Sequence, residues 1–139
     1  MPQYRADQHL VHLSVTGVPL DNIQWDTFSG GDLQAADVSY PPGGMLPVVN
    51  LGGTPTRSDI TLTRAWSDAL ISVFKKLDAS TGRGAATIPV QTLDANGSPT
   101  GATITYSGVV KSVARPDYDH KGNDTAMLTV VIGANASIT

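Results

Sequence analysis

The residues best suited to chemistry are three aspartates in one short segment near the C-terminus. Asp117 and Asp119 form an Asp-x-Asp pattern with glycine at the sixth position, which is how a calcium loop of the EF-hand type begins, and Asp124 adds a third carboxylate. The match ends there, because Lys121 places a cation where an oxygen ligand belongs and Leu128 replaces the bidentate glutamate of the twelfth position. We therefore interpret the segment as a charged turn in water and predict no metal site.

The three histidines offer little more. His9 and His12 would point to opposite faces of a strand, so they cannot share a metal ion. A hydrolase or metal enzyme that uses Asp117, Asp119 and His120 remains an alternative, and it predicts a tightly bound divalent ion.

Other catalytic patterns are missing from the sequence. Residues 82–84 read Gly-Arg-Gly without a third glycine in place, and Gly-Lys-Ser/Thr does not occur, so neither nucleotide-binding fingerprint is met. The chain has no cysteine, which excludes a thiol nucleophile, a disulfide and a zinc–thiolate site. The sequence therefore predicts no enzyme, no catalytic residue and no cofactor.

Length and composition favour one mostly β domain. The 139 residues are 40% hydrophobic and 15% charged, with 14 glycines and 9 prolines, and we predict a single domain over residues 1–139. The net charge of -3 argues against a surface that grips nucleic acid through its phosphates. The first residues lack an apolar signal core and no run approaches the ~20 apolar residues of a membrane span, so we expect a soluble protein without a membrane role.

The element that organises the chain lies at residues 58–77, where a strand pattern gives way to a helical one. Ile60 and Leu62 alternate with Thr61 and Thr63, which is typical of a strand with one buried face. The following apolar residues share one side of a helix and form the predicted helix-to-sheet core: Trp66, Leu70, Val73, Phe74 and Leu77. The predicted fold is therefore mainly β, with one α-helix packed on the sheet.

Two strands before this element are predicted to form a hairpin, at residues 10–16 and 23–28. Their expected inner faces comprise Val11, Leu13 and Val15, then Ile23, Trp25 and Thr27. Further strands are predicted at residues 33–40, 84–93, 102–114 and 126–138, with an open hairpin turn at 94–101. Pro89 removes a hydrogen-bond donor, which predicts an edge strand or a bulge, and Gly108 predicts a bulge that changes the buried face.

Residues 29–57 are predicted to be one long loop rich in glycine and proline, and the less regular strand at 33–40 lies within it. Its apolar side chains are costly to leave in water, so we expect them to meet either this domain or a neighbouring one. They are Met45, Leu46, Val48, Val49 and Leu51.

The order of these elements resembles that of the tail tube protein of tailed bacteriophages, a family similar in fold to the tube subunits of type VI secretion and other contractile injection systems. The strand Ile60-Thr61-Leu62-Thr63-Arg64 leading into the helix is similar to the family's strand of the form leu-x-arg. A strand pair with a polar turn follows, as in the family.

The resemblance implies a tail-tube-like barrel subunit that closes into a ring of six, with one inner β-barrel shared between copies and the helices outside. Rings would stack into a hollow tube through which the tape measure protein and then DNA pass without specific binding. Further implied partners are the tail terminator and the baseplate or tip proteins, and the implied location is the virion tail after assembly in the host cytoplasm. Long strands with two unpaired edges agree with closure between copies.

The residues that we predict to contact adjacent subunits or rings lie in the long loop and in two turns. They are Met45, Leu46, Val48, Val49, Leu51, Asn96, Gly97, Asp117 and Asp119.

Two further interpretations stay open beside the phage tail. One is the tube subunit of a type VI secretion or other injection system, which shares the architecture. The other is a soluble β-sandwich or jelly-roll ligand-binding module, whose stacking platforms would be aromatic residues. The candidates for that role are Trp25, Tyr40, Trp66 and Tyr118.

Overall fold

A computed structural model describes residues 3, 5–18, 23–117 and 125–139. Within these residues, eleven strands and one helix follow one another along the chain. They are β1 His9–Val11, β2 Ser14–Val15, β3 Thr27–Gly30, β4 Leu33–Ala35, β5 Ser39–Tyr40, β6 Val49–Asn50, β7 Pro55–Arg57, β8 Ile60–Ala65, α1 Ala69–Ser80, β9 Ala85–Leu93, β10 Pro99–Ala114 and β11 Met127–Ile138. The predicted mainly β fold with one helix packed on the sheet is confirmed.

The main sheet is antiparallel and nearly closes into a barrel. Its strands follow the order β1-β9-β10-β11-β8-β3, and β2 also pairs with β9. The N–H of Trp25 donates to the carbonyl of Val11 at 3.0 Å, forming a bridge between the segment before β3 and β1. The predicted hairpin of the first two strands is therefore reduced to this single bridge, because β1 and β2 pair with β9 whereas β3 pairs with β8.

Alternation of side chains explains where the core lies. Ile60 and Leu62 of β8 are fully buried, whereas Thr61 and Thr63 point to the opposite face. The same alternation buries Leu128, Val130 and Ile132 in β11, and Val11, Leu13 and Val15 near the N-terminus. All of these side chains belong to one hydrophobic cluster inside the sheet.

Helix α1 adds its apolar side to this cluster. Leu70, Val73 and Leu77 are buried, and the rings of Trp66 and Phe74 meet edge to face with centroids 5.9 Å apart. The chain leaves the helix at Gly82, whose φ of 84° lies in the left-handed region that favours glycine. The N–H of Gly82 donates to the carbonyl of Val110 at 2.7 Å, which ties this turn to β10.

Pro89 lies in an interior strand without a bulge, whereas the sequence predicts an edge strand or a bulge there. Its carbonyl accepts a hydrogen bond from the N–H of His12 at 3.2 Å, so the side of Pro89 that lacks a donor faces β1 and β2. The register of β1 and β2 on β9 is continuous, since Val11 pairs with Val90 and Ser14 with Thr87. The proline therefore splits what the sequence predicts as one strand into two.

The register of β10 with β11 is irregular between Tyr106 and Gly108, where the sequence predicts a bulge, but the buried face of β10 changes only at Lys111. Val110 is fully buried and Val109 is exposed, because Gly108 and Val110 still lie on the core face. The register with β11 then shifts between Val110 and Ser112, which leaves Lys111 in a bulge. Gly108 is required for another reason, since a Cβ there would lie 2.2 Å from the carbonyl oxygen of Gly133.

The alternation predicted for residues 23–28 also breaks. Trp25 is buried as expected, but Thr27 is exposed and Phe28 packs against the core. Asp26 forms a bend there, because its carboxylate accepts a hydrogen bond from the N–H of Ala65 at 3.0 Å and its own N–H donates to Thr63.

Candidate functional site

The segment predicted as a long loop is a β-hairpin that leaves the barrel. β3 pairs with β8, β4 pairs with β7 in the same register, and β5 pairs with β6 one residue out of that register. The prediction of one strand at residues 33–40 is therefore wrong, because β4 and β5 are two separate strands. We call residues 31–57 the arm.

Glycines shape the middle of the arm. Gly52 has a φ of 71°, and a Cβ on Gly53 would lie 2.4 Å from the carbonyl oxygen of Ala36. The two strands thus approach closely between the two pairs of short strands, and no larger residue fits at Gly53 without a backbone shift. At the tip, Met45 has a φ of 64° and is fully exposed.

The apolar side chains of the arm are uncovered. Leu46, Val48 and Leu51 each expose about 60% of their surface, and the exposed set includes every apolar residue that the sequence picks out between 45 and 51. Several large apolar side chains exposed in one short segment are typical of a contact surface, whereas single exposed ones are common in monomeric proteins. The rest of the described domain leaves these side chains exposed, and their contact with a neighbouring domain or copy stays a prediction.

The two predicted turns lie apart from the arm in the chain. Asn96 and Gly97 are exposed in the turn between β9 and β10, where the Asp94 carboxylate accepts hydrogen bonds from the N–H groups of Asn96 and Ser98, both at 2.9 Å. Asp117 is exposed after β10. Asp119 lies outside the described residues.

A second uncovered apolar patch was missed from the sequence. Ile104 and Ile138 are each 46% exposed, and both share a face with Tyr106, because Tyr106 pairs with Ile138 and lies two residues from Ile104. This face continues the barrel core beyond the point where other elements cover it. The alternation of Ile104 and Tyr106 in the sequence is the signal that could have revealed it, had the length of β10 been known.

The opposite face of the sheet is rich in small neutral side chains. Thr27 lies opposite Thr63, and Thr63 lies opposite Thr129, so three adjacent strands carry a row of threonines. The face continues with Ser14, Ser29, Thr61, Thr87, Thr105 and Ser107. Asp59 and Lys111 form an ion pair at 2.5 Å.

The described residues hold no group of three histidine or acidic side chains that could bind a metal ion. Of the proposed metal enzyme's residues, Asp117 is described, while Asp119 and His120 lie outside the described part of the chain, as does Asp124 of the calcium-loop pattern. In that same part, no helix is both long and apolar enough to cross a membrane.

Comparison with known proteins identifies the fold. No protein-family model and no curated protein sequence matches this chain. Among solved structures, a chain in the six-fold symmetrised baseplate of the anti-feeding prophage matches with a TM-score of 0.76 at 14% identity, over 100% of this chain and 95% of that one. A chain in the sheath–tube complex of an extracellular contractile injection system matches with a TM-score of 0.75 at 16% identity, over 99% and 90%.

The chain has a tail-tube-like fold. A more distant match agrees: the crystal structure of Hcp protein matches with a TM-score of 0.53 at 8% identity, over 91% of this chain and 87% of that one.

Two of the aromatic residues proposed as stacking platforms for a ligand are buried or half-buried. Trp25 is 3% exposed and offers no free face, and Trp66 is half-buried with its ring packed edge to face with that of Phe74. Tyr40 is exposed on the arm, and Tyr118 lies outside the described residues. The aromatic residues of the described chain therefore give little support to a carbohydrate-binding module.

Proposed function

We propose that this chain is the structural subunit of a tube, in which six copies close into a ring and rings stack into the hollow tail of a phage. The observation that carries the proposal is the combination of a tail-tube-like fold with an arm whose apolar residues are exposed. A subunit without a partner gains nothing from such an arm, whereas burial against another copy stabilises the assembly by roughly 25 cal/mol per Å² of apolar surface.

The arm is the principal contact in this proposal. Met45, Leu46, Val48, Val49 and Leu51 contact an adjacent copy, and the turn at Asn96 and Gly97 and the segment with Asp117 and Asp119 add polar contacts between subunits or rings. Head-to-tail contacts, which build rings and stacks, join two unlike surfaces of the same chain. The arm and the patch of Ile104 and Ile138 are two such surfaces, and both are apolar and exposed.

The channel in this proposal is lined by the face that carries the threonines and serines. Neutral hydroxyl groups offer no cation to pair with phosphate, and the chain as a whole is acidic. DNA, and the tape measure protein before it, would therefore pass without being held. No enzymatic step and no cofactor is involved.

Partners at the tube ends follow from the same fold. Solved chains with this fold come from a baseplate, from a sheath/tube terminator and from a tube-terminating cap. We propose that this subunit likewise meets a terminator and a baseplate or tip protein, that it assembles in the host cytoplasm, and that it ends in the virion tail.

A second candidate is the tube of an injection system that delivers protein. It is favoured by the solved structures with this fold, which come from an anti-feeding prophage and an extracellular contractile injection system. The two candidates differ in cargo, so the nucleic-acid and protein content of native particles that contain this chain separates them. Packaged genomic DNA in a head joined to the tube supports the phage tail, and particles without DNA support the injection system.

The experiment that tests the tube role is negative-stain electron microscopy of the purified protein at increasing concentration. Rings with six-fold class averages, and stacks of them, are expected. A variant with Leu46→Asn, Val48→Asn and Leu51→Asn should remain a folded monomer by circular dichroism and form no tubes.

The matched control keeps the arm apolar, with Leu46→Met, Val48→Ile and Leu51→Met, and it should still assemble. Shortening the arm is the stronger test, with Asn-Gly in place of residues 37–52, because Ala36 and Gly53 already lie close together. Tubes formed by the shortened protein would refute the assignment of the arm as a contact.

A further inference from the structure

The arm leaves the barrel through two consecutive glycines. Gly30 and Gly31 have φ values of 85° and 79°, in the left-handed region. A Cβ on Gly30 would lie 2.0 Å from the carbonyl oxygen of Asp59, so only glycine fits there. Glycine has the widest range of allowed φ and ψ angles of any residue. The strand therefore turns away from the barrel where its backbone dihedral angles are least restricted.

Arg57 lies at this same point on the other strand, in the first residue pair of the arm, opposite Leu33. Its Nη1 donates to the carbonyl of Gly31 at 2.6 Å. Its Nε donates to the carbonyl of Asn135 at 3.1 Å, and its Nη2 donates to the carbonyl of Ala136 at 2.8 Å. One guanidinium therefore connects the glycine pair to the end of β11.

The guanidinium is also held from the barrel side. Its carbon lies 5.4 Å from the centre of the Tyr106 ring, and the Tyr106 ring packs on Phe28 with centroids 5.4 Å apart. The ion pairs among the described residues do not involve Arg57, so its donors serve the carbonyls. The planar guanidinium of arginine can donate to several carbonyls at fixed angles, whereas the ammonium group of lysine cannot reproduce this arrangement.

We infer that Arg57 is the positioning residue of the arm: it fixes the direction in which the glycine pair lets the arm leave the barrel. The purpose of this fixed direction rests on the proposed function, because an arm held in place before contact loses less conformational entropy on assembly. The restriction of the arm itself is a property of the single chain.

Distance measurement in the single chain tests the inference without any assembly. The chain has no cysteine, so spin labels can be placed at Ser39→Cys in the arm and Thr87→Cys on the barrel, both of which are exposed. Electron paramagnetic resonance of labelled protein, diluted in unlabelled protein, should give a narrow distance distribution. Arg57→Gln should widen it at least about twofold, and Arg57→Lys should widen it to an intermediate degree.

Arg83→Gln is the matched control, because Arg83 is an exposed arginine that donates to one carbonyl, that of Ala79, after the helix. Its distribution should stay as narrow as that of the parent. A narrow distribution for Arg57→Gln, an equally wide one for Arg83→Gln, or a wide one for the parent overturns the inference. If Arg57→Gln does not fold, the width of the distance distribution of Arg57→Lys, compared with those of the parent and of Arg83→Gln, tests the inference instead.

A second measurement separates positioning from general stability. Near-ultraviolet circular dichroism should show the same core melting for Arg57→Lys and the parent, while the tube yield by sedimentation falls at least about tenfold. A loss of yield that merely follows a lower melting temperature contradicts positioning. If the distances behave as expected but the parent forms no tubes, the proposed function fails and the role of Arg57 in the single chain stands.

Discussion

Trp25 and Val11 join the two outer strands of the sheet through one backbone hydrogen bond of 3.0 Å. The two outer edges of the sheet, which are expected to pair between copies, are therefore bridged at this one point inside a single chain. Among the described strands, those of the arm pair only with each other, as β4 with β7 and β5 with β6. Unpaired strand edges invite other strands, so the arm offers both an apolar surface and free backbone groups to a neighbouring copy.

Replacement of Trp25 should distinguish its volume from its polar group. Trp25 is 3% exposed, and its Nε1 has no hydrogen-bond partner among the described residues. Trp25→Ala should lower the free energy of unfolding by about 3–5 kcal/mol through the cavity it leaves. Trp25→Phe also removes the unpaired donor and should cost less than about 1.5 kcal/mol. Urea unfolding followed by circular dichroism measures both, and equal losses would contradict this reasoning.

Replacement of Pro89 should join β1 and β2. In Pro89→Val the new N–H faces His12 and can donate to its carbonyl, because the two residues are already opposite each other in the register. The new hydrogen bond should stabilise the fold by about 1 kcal/mol. Loss of the proline, which restricts the unfolded chain, should destabilise it by about as much, so the free energy of unfolding should change little. Hydrogen exchange should show a protected amide at position 89, and a rapidly exchanging one would contradict the pairing.

The sequence predicts the parts of the fold that depend on local periodicity. Ile60, Leu62, Leu70 and Leu77 repeat at strand or helix spacing, and the structure buries them all. Strand pairing depends on distant partners instead. Nothing near residues 10–16 indicates that their main neighbour is β9, so proximity along the chain predicts a hairpin of which only the Val11–Trp25 bridge forms.

The arm shows the same limit at the candidate site. Its apolar residues are visible in the sequence, but glycines and prolines at both ends gave the pattern of a loop. The pairing of Leu33 with Arg57 spans the whole segment, and only the structure reveals it. Arg57 was therefore missed, because its partners Gly31, Asn135 and Ala136 are brought to it by the fold.

Two glycines on neighbouring strands should respond differently to the same substitution. A Cβ on Gly108 would lie 2.2 Å from the backbone oxygen of Gly133, so Gly108→Ala should lower the free energy of unfolding by about 1–3 kcal/mol. A Cβ on Gly133 would meet its nearest atom, the carbonyl oxygen of Val109, at 3.8 Å. Gly133→Ala is therefore the matched control and should change stability by less than about 0.5 kcal/mol. The opposite order in thermal melts would contradict the close approach of β10 and β11.

The patch of Ile104 and Ile138 should matter for assembly and not for folding. Both side chains are about half exposed, so Ile104→Asn with Ile138→Asn removes little buried surface from the single chain and should leave the melting temperature within about 4 °C of the parent. If the patch receives a neighbouring copy, the same variant should shift ring and tube formation to higher protein concentration, measured by sedimentation and electron microscopy. Val109→Asn is the control, because Val109 is similarly exposed but lies on the opposite face of β10. A specific interface loses affinity only where its buried groups change. If the double variant assembles at the same protein concentration as the parent, or if the control shifts that concentration equally, the contact lies elsewhere.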